Sequence, residues 1–137
     1  MYEKGIRMSD DVYVRMCRES PVQKDWKPHT GDVTFNPLTE WGVGIMSAYD
    51  TRKESLEDIK NRDVWLPRQE DWQDILYSDK KKHDCFNTKF FNFYNECTNT
   101  ITSQSLKEFF TILWCLFVHK EVYGLTWDWE EDRWVKE

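Results

Sequence analysis

Residues 105–118 read Ser105-Leu106-Lys107-Glu108-Phe109-Phe110-Thr111-Ile112-Leu113-Trp114-Cys115-Leu116-Phe117-Val118. Ser105-x-x-Glu108 has the spacing of a capping box, in which each side chain satisfies a backbone N–H that the first helical turn leaves open. From Phe109 to Val118 only Thr111 is polar, so the predicted helix is apolar around its whole circumference. Such a helix has to be covered on several sides, either by running through the middle of the fold or by lending a face to a partner subunit. At 1.5 Å rise per residue the apolar part spans about 15 Å, half a bilayer core, which is too short to cross a membrane. Gly124, after Lys120-Glu121-Val122-Tyr123, fits the left-handed position that closes a helix, with Leu125 free to make the accompanying apolar contact. The chain then ends in two short Trp-bearing strands, holding Trp127 and Trp134, around an acidic turn.

Working back toward the N-terminus, Phe86, Phe90, Phe93, Tyr94 and Cys97 recur at helical spacing, while the Asn and Lys residues between them face water. Ser78 to Asp84 is a polar loop. Pro67 suits a helix start, where its missing N–H costs nothing, and Glu70 and Asp71 complement the helix dipole; Trp72, Ile75 and Leu76 form its inner face. Val64-Trp65-Leu66 reads as a strand. Asp50 to Asp63 is densely charged with few apolar anchors and reads as a solvated loop, with at most a turn of helix at Ser55 to Ile59. In the segment Trp41 to Tyr49, alternation puts Trp41, Val43, Ile45, Ser47 and Tyr49 on one strand face with glycines opposite. Val33-Thr34-Phe35 is a further strand, broken by Asn36-Pro37. The first helix begins at a Ser9 or Asp10 cap, carries Val12, Tyr13, Met16 and Cys17 inward, and ends near Ser20 ahead of Pro21. The order of elements predicts one α+β domain over 1–137. A small antiparallel sheet is packed by helices, and a buried C-terminal helix is followed by the Trp-bearing hairpin.

With 137 residues, the chain is long enough to bury a core without a disulfide or a structural metal. Cys17, Cys85, Cys97 and Cys115 include no Cys-x-x-Cys pair. His83-x-Cys85 with Cys97 lacks the four closely paired ligands of structural zinc, so neither metal nor cofactor is expected. The opening residues lack an apolar signal-peptide core, which predicts a cytoplasmic protein with free thiols.

Two stretches carry a resemblance. Val64-Trp65-Leu66-Pro67-Arg68-Gln69 and the run from Leu113-Trp114 through Phe117-Val118 to Tyr123-Gly124 and Trp127-Asp128 resemble a family of small uncharacterised proteins encoded by phages and prophages of Gram-positive bacteria. That family has a Trp-(Leu/Ile)-Pro-x-Gln strand-to-helix junction, a Leu-Trp-x-x-Phe-Val helix closing on Tyr-Gly, and a Trp-Asp turn. Trp26-Lys27-Pro28 with Gly31-Asp32-Val33 matches its entry into the sheet, so the likeness runs from about Trp26 to Trp134. Cys115 departs from it where a small Ala is usual, and the turn between Trp127 and Trp134 is longer than the family's tight, Gly-containing one. The motifs are built of Trp, Pro, Gly and apolar residues and look like fold determinants. The resemblance implies a phage genome and a bacterial host cell, and it transfers no catalytic residue.

Three functional classes compete. An enzyme needs convergent carboxylates with a His or a metal, and the residues available are His29, His83 or His119 with acidic residues around Trp65 to Asp74. His119 and Glu121 are two apart on a helix and point to different sides. No nucleophile elbow or phosphate loop is present. A nucleic-acid accessory draws on Lys80 to His83, Arg52-Lys53, Arg62 and Arg68, but 25 acidic against 19 basic residues, a net charge of -6, opposes phosphate attraction over the whole surface. A non-enzymatic protein-interaction module draws on the acidic turn. Asp128, Glu130, Glu131 and Asp132 lie beside Trp129, so that an aromatic supplies burial and carboxylates steer encounter with a basic protein surface. This last is the leading reading, with a host-derived partner and a homodimer through the apolar helix as a side reading. Of the eight tryptophans, Trp26, Trp65, Trp72, Trp114, Trp127 and Trp134 sit where large side chains fix how helix meets sheet, and Trp41 sits on a strand face. Trp129, with at most one neighbour, is left for function. Alternation puts it on the same face as Trp127, so that if Trp127 is core, Trp129 is core or marks the edge of a patch.

Overall fold

In a computed structural model, the described residues are 12–37, 42–47, 54–78, 86–98 and 106–137. They form an α+β chain whose order is α1 (Val12–Arg18), α2 (Val22–Asp25), β1 (Val33–Phe35), β2 (Val43–Ile45), α3 (Leu56–Arg62), β3 (Val64–Trp65), α4 (Gln69–Ser78), α5 (Phe86–Cys97), α6 (Leu106–Val118), a π-helical turn (His119–Tyr123), β4 (Leu125–Asp128) and β5 (Arg133–Lys136). The chain divides into two compact units. One comprises Met1–Pro67 with Asp128–Trp134, the other Arg68–Trp127 with Val135–Glu137.

In the first unit β1 is the central strand of a three-stranded sheet ordered β2-β1-β3, with both neighbours antiparallel to it. α1 packs on β3. Tyr13, Val14, Met16 and Cys17 are its buried residues, and the Tyr13 hydroxyl donates to the Pro67 carbonyl. Gln23 ties α2 to the free edge of β3. Its amide nitrogen donates to the Trp65 carbonyl at 2.9 Å and to the Cys17 carbonyl at 3.0 Å, and its amide oxygen accepts from the Trp65 N–H at 2.9 Å. Trp26 stacks on Trp65, with centroids 6.0 Å apart and planes within 8°, and packs with Met46 and Ile59 into a core cluster.

Two sequence expectations change in this unit. Val43 and Ile45 were assigned to an apolar strand face, yet they are 38% and 68% exposed. The strand is only three residues long, and it is Gly42 and Met46 at its ends that turn inward. Gly42 has φ of +78°, and any side chain there would collide with the ring of Phe35, so only glycine lets β2 approach. The second change concerns Leu56–Arg62, expected to be mostly loop. Ser55 caps this helix by accepting from the Asp58 N–H at 3.1 Å, Glu57 and Asp58 favour its positive end, Lys60 and Arg62 its negative end, and Ile59 is fully buried. One anchor was enough. α1 ends at Arg18, close to the expected limit, but Pro21 opens the short helix α2 that the sequence did not announce.

In the second unit α6 packs against α4, and α5 lies on α6. Ile112 to Val118 are all buried, as an all-round apolar helix requires. Trp72 and Leu76 are the buried face of α4. Phe90 stacks on Trp114 at 4.3 Å and meets Phe117 edge-on at 5.2 Å, while Tyr94 meets Phe109 edge-on at 5.9 Å. Gly124 takes the expected left-handed conformation, φ 67°, and its N–H bonds the His119 carbonyl. β4 and β5 pair as the C-terminal hairpin. The expected caps Ser9 and Asp10, Trp41, Tyr49, the Lys80–His83 loop, Cys85 and the Ser105 capping residue lie outside the described residues.

Candidate functional site

The turn between β4 and β5 is built by its first residue. Asp128 Oδ1 accepts from the N–H groups of Glu130, at 3.0 Å, and Glu131, at 3.1 Å, while the Asp132 N–H closes on the Asp128 carbonyl at 2.8 Å. Asp132 sits at φ 53°, a left-handed position that Asp tolerates better than most side chains. Within the first unit the turn is held from outside as well. Arg15 of α1 lies 3.6 Å from the Asp132 carboxylate, and the Trp134 indole N–H donates to the Met16 carbonyl at 2.9 Å.

This geometry separates two tryptophans that strand alternation had grouped together. β4 ends at Asp128, so Trp129 is the first residue of the turn and escapes the alternation. Trp127 is 3% exposed and belongs to the core, whereas Trp129 is 39% exposed. Trp134 is half-buried. Glu130, Glu131 and Asp132 are exposed beside Trp129, and Asp128 is half-buried beneath them. The five residues proposed for partner binding thus share one anchored turn.

The residues considered for catalysis are dispersed. His29 is exposed and contributes its backbone N–H, not its ring, to the Asp32 carboxylate at 2.8 Å. His83 lies outside the described residues. His119 is fully buried and opens the π-helical turn; its Nδ1 donates to the Cys115 carbonyl at 2.6 Å, with Trp72 at 5.3 Å and Tyr123 at 5.2 Å between ring centroids. Burial holds its pKa down to about 4, against the opposing pull of the Cys115 carbonyl, so the ring is neutral at physiological pH. A small groove of 280 Å³ between α5 and the π-helical turn is lined by charged residues, but Lys89 reaches Glu121 at 3.4 Å and Lys120 lies over the Phe93 ring at 5.5 Å. Cys97 is half-buried. Burial, reinforced by Glu96, pushes its thiol up to about 11, which leaves almost no thiolate for nucleophilic work at neutral pH. Among the described residues no group of three His, Cys, Asp or Glu side chains could hold a metal ion.

Of the basic residues put forward for nucleic acid, Arg62 is already engaged. It holds Glu54 through a two-pronged contact at 2.7 and 2.9 Å and Asp63 at 2.9 and 3.0 Å, and these hydrogen bonds raise its pKa further. Arg68 is half-buried, and Arg52, Lys53 and Lys80 to Lys82 lie outside the described residues.

A second surface feature was invisible in the sequence. An open groove of 800 Å³ in the first unit is lined by Lys24, Trp26 and Lys27 from one stretch of the chain and by Leu56 and Lys60 of α3 from another. Its two walls lie far apart in sequence, so only the fold brings its three cations together. No helix among the described residues is long and apolar enough to cross a membrane. Compared with known proteins, the chain matches no family model, no curated protein and no solved structure.

Proposed function

We propose that the protein is a non-enzymatic phage or prophage accessory protein that works in the host cytoplasm by binding a basic surface of another protein through the turn 128–132. The observation that carries this reading is Trp129: a large aromatic left 39% exposed on a turn whose backbone and flanks are tied down. An exposed tryptophan is the side chain from which an interface gains most on burial. A turn already fixed by Asp128 and by its bonds to α1 loses little conformational entropy when it docks. Glu130, Glu131 and Asp132 add steering toward a cationic partner and disfavour acidic ones. The attribution to phage rests on the resemblance of the Trp-Leu-Pro, Leu-Trp-x-x-Phe-Val and Tyr-Gly motifs. In α6, whose side role is a homodimer, Ile112 to Val118 are buried within the chain while Phe109 to Thr111 are half-buried.

The test is an affinity capture from lysate of a Gram-positive host, run in parallel with the wild type, Trp129→Ala and Glu131→Lys. A specific basic protein retained by the wild type, released by salt and lost from both variants is the expected result. Equal retention by all three, or no specific partner, overturns the reading.

A further inference from the structure

The groove beside Trp26 has the chemistry to receive the turn described above. Among the described residues, Lys24, Lys27 and Lys60 form no ion pair, although the chain carries a net charge of -6 and its other described ion pairs use Arg15, Arg62 and Lys89. Lys60 is fixed in place by donating to the Lys24 carbonyl at 2.8 Å, which ties the two walls of the groove together. Leu56, 53% exposed, is the apolar side chain the groove offers most openly, and Trp26, almost wholly buried, lines it as well. The volume lies within the range of sites that bury a compact ligand. Asp25 and Glu57 also line it. They offset part of the positive charge, so a bare polyanion gains less there than a segment that combines a few carboxylates with an apolar anchor.

One segment of this chain has that combination in fixed form. Trp129 is the anchor, and Asp128, Glu130 and Glu131 are carboxylates not committed to a basic side chain among the described residues; Asp132 is held by Arg15. We propose that the Lys24–Lys27–Lys60 groove receives the 128–132 turn of a second copy of the chain, Trp129 entering against Leu56 while the carboxylates meet the three ammonium groups. The inference rests on the turn being a contact surface and adds a second copy of the chain to what that surface binds. Turn and groove are different patches, so the contact closes into a reciprocal pair or runs on into longer assemblies. Either outcome appears as mass that rises with concentration. Opposite charges meeting at contact range make the association weaken as salt is added.

The experiment is sedimentation velocity on the full chain over a concentration series at low and high salt, with Lys27→Glu, Glu131→Lys and Trp129→Ala. The three substituted positions, Lys27, Trp129 and Glu131, are exposed, and circular dichroism melts matching the wild type confirm folding. Self-association of the wild type, weakened about tenfold or more by each variant and by salt, is the expected result. An equimolar mixture of Lys27→Glu and Glu131→Lys regains association that neither shows alone, because the intact turn of the first meets the intact groove of the second. A wild type that stays monomeric at every concentration overturns the proposal, as does association indifferent to Lys27→Glu, or a mixture no better than its components. If Glu131→Lys abolishes capture of a host protein while Lys27→Glu does not, and the wild type is monomeric, this inference falls and the functional reading above stands.

Discussion

Burying an imidazole among aromatic rings fixes its protonation state, and at His119 that state is neutral. Trp72 and Tyr123 pack against the buried ring, and its hydrogen bond to the Cys115 carbonyl is made by Nδ1–H in the uncharged ring as well as in the charged one. The folded pKa of about 4 lies below the ordinary value of 6.5. The unfolded chain therefore takes up a proton, as pH falls through 6.5, that the folded chain refuses until about pH 4. Stability is unaffected above pH 7 and is lost progressively between these two values, by about 3 kcal/mol from this residue alone. Urea melts of the wild type and of His119→Gln from pH 7 down to pH 4.5 check this. The variant starts less stable but its midpoint falls less steeply, because the carboxylates titrating in the same range are common to both proteins and cancel in the comparison. Parallel slopes would show that the ring is charged or solvated in the folded state.

At the scale of elements, the three-stranded sheet depends on a side chain from outside it. β3 is two residues long, and its outer edge presents the N–H and C=O of Trp65, which Gln23 satisfies with a single amide as a neighbouring strand would. Gln23→Ala removes these two bonds and the one to Cys17, and a loss of about 2 kcal/mol is expected, read as a lower urea midpoint with an unchanged slope. Gln23→Glu is expected to be worse than Ala at neutral pH, since it sets a carboxylate against two carbonyl oxygens; a Glu variant as stable as the wild type would deny the bridge. This amide could not have been read from sequence, because Gln23 and Trp65 are joined only by the fold. What was legible were features with local causes: the apolar circumference of α6, the left-handed Gly124, the hairpin pair and the amphipathic spacing of α5. α3 is legible only as a turn at Ser55 to Ile59, because its charges hide one decisive anchor, Ile59, whose burial against Trp26 and Met46 is a tertiary fact. The faces of β2 were misread because alternation over nine residues was assumed where three form the strand. Part of the acidic turn was legible as composition, but the exposure of Trp129 followed from β4 stopping one residue earlier than alternation supposed.

For the molecule as a whole, the path of the chain matters more than any single contact. The first unit is made from two stretches, Met1–Pro67 and Asp128–Trp134, with the whole of the second unit's Arg68–Trp127 between them in sequence. No single cut releases the first unit intact, and the last residues of the chain act on the helix described first. Trp134 donates to Met16 at the buried face of α1, and Asp132 lies within ion-pair distance of Arg15 in the same helix. The ion pair is partly exposed and worth little. The indole bond is partly buried and closes a carbonyl near the end of a seven-residue helix too short to be stable without such contacts. Trp134→Phe keeps the aromatic body and removes only the N–H donor, with an expected cost of about 1 kcal/mol. Truncation after Trp127 removes the aromatic contact and the turn together, and is expected to raise amide hydrogen exchange at Val14, Met16 and Cys17, residues far from the cut in sequence. Exchange there unchanged by truncation would show that α1 is held by β3 and Tyr13 alone. If exchange rises in the truncated chain but not in Trp134→Phe, the indole's packing carries the anchor, and the turn bearing Trp129 owes its fixed position to buried aromatic surface rather than to a hydrogen bond.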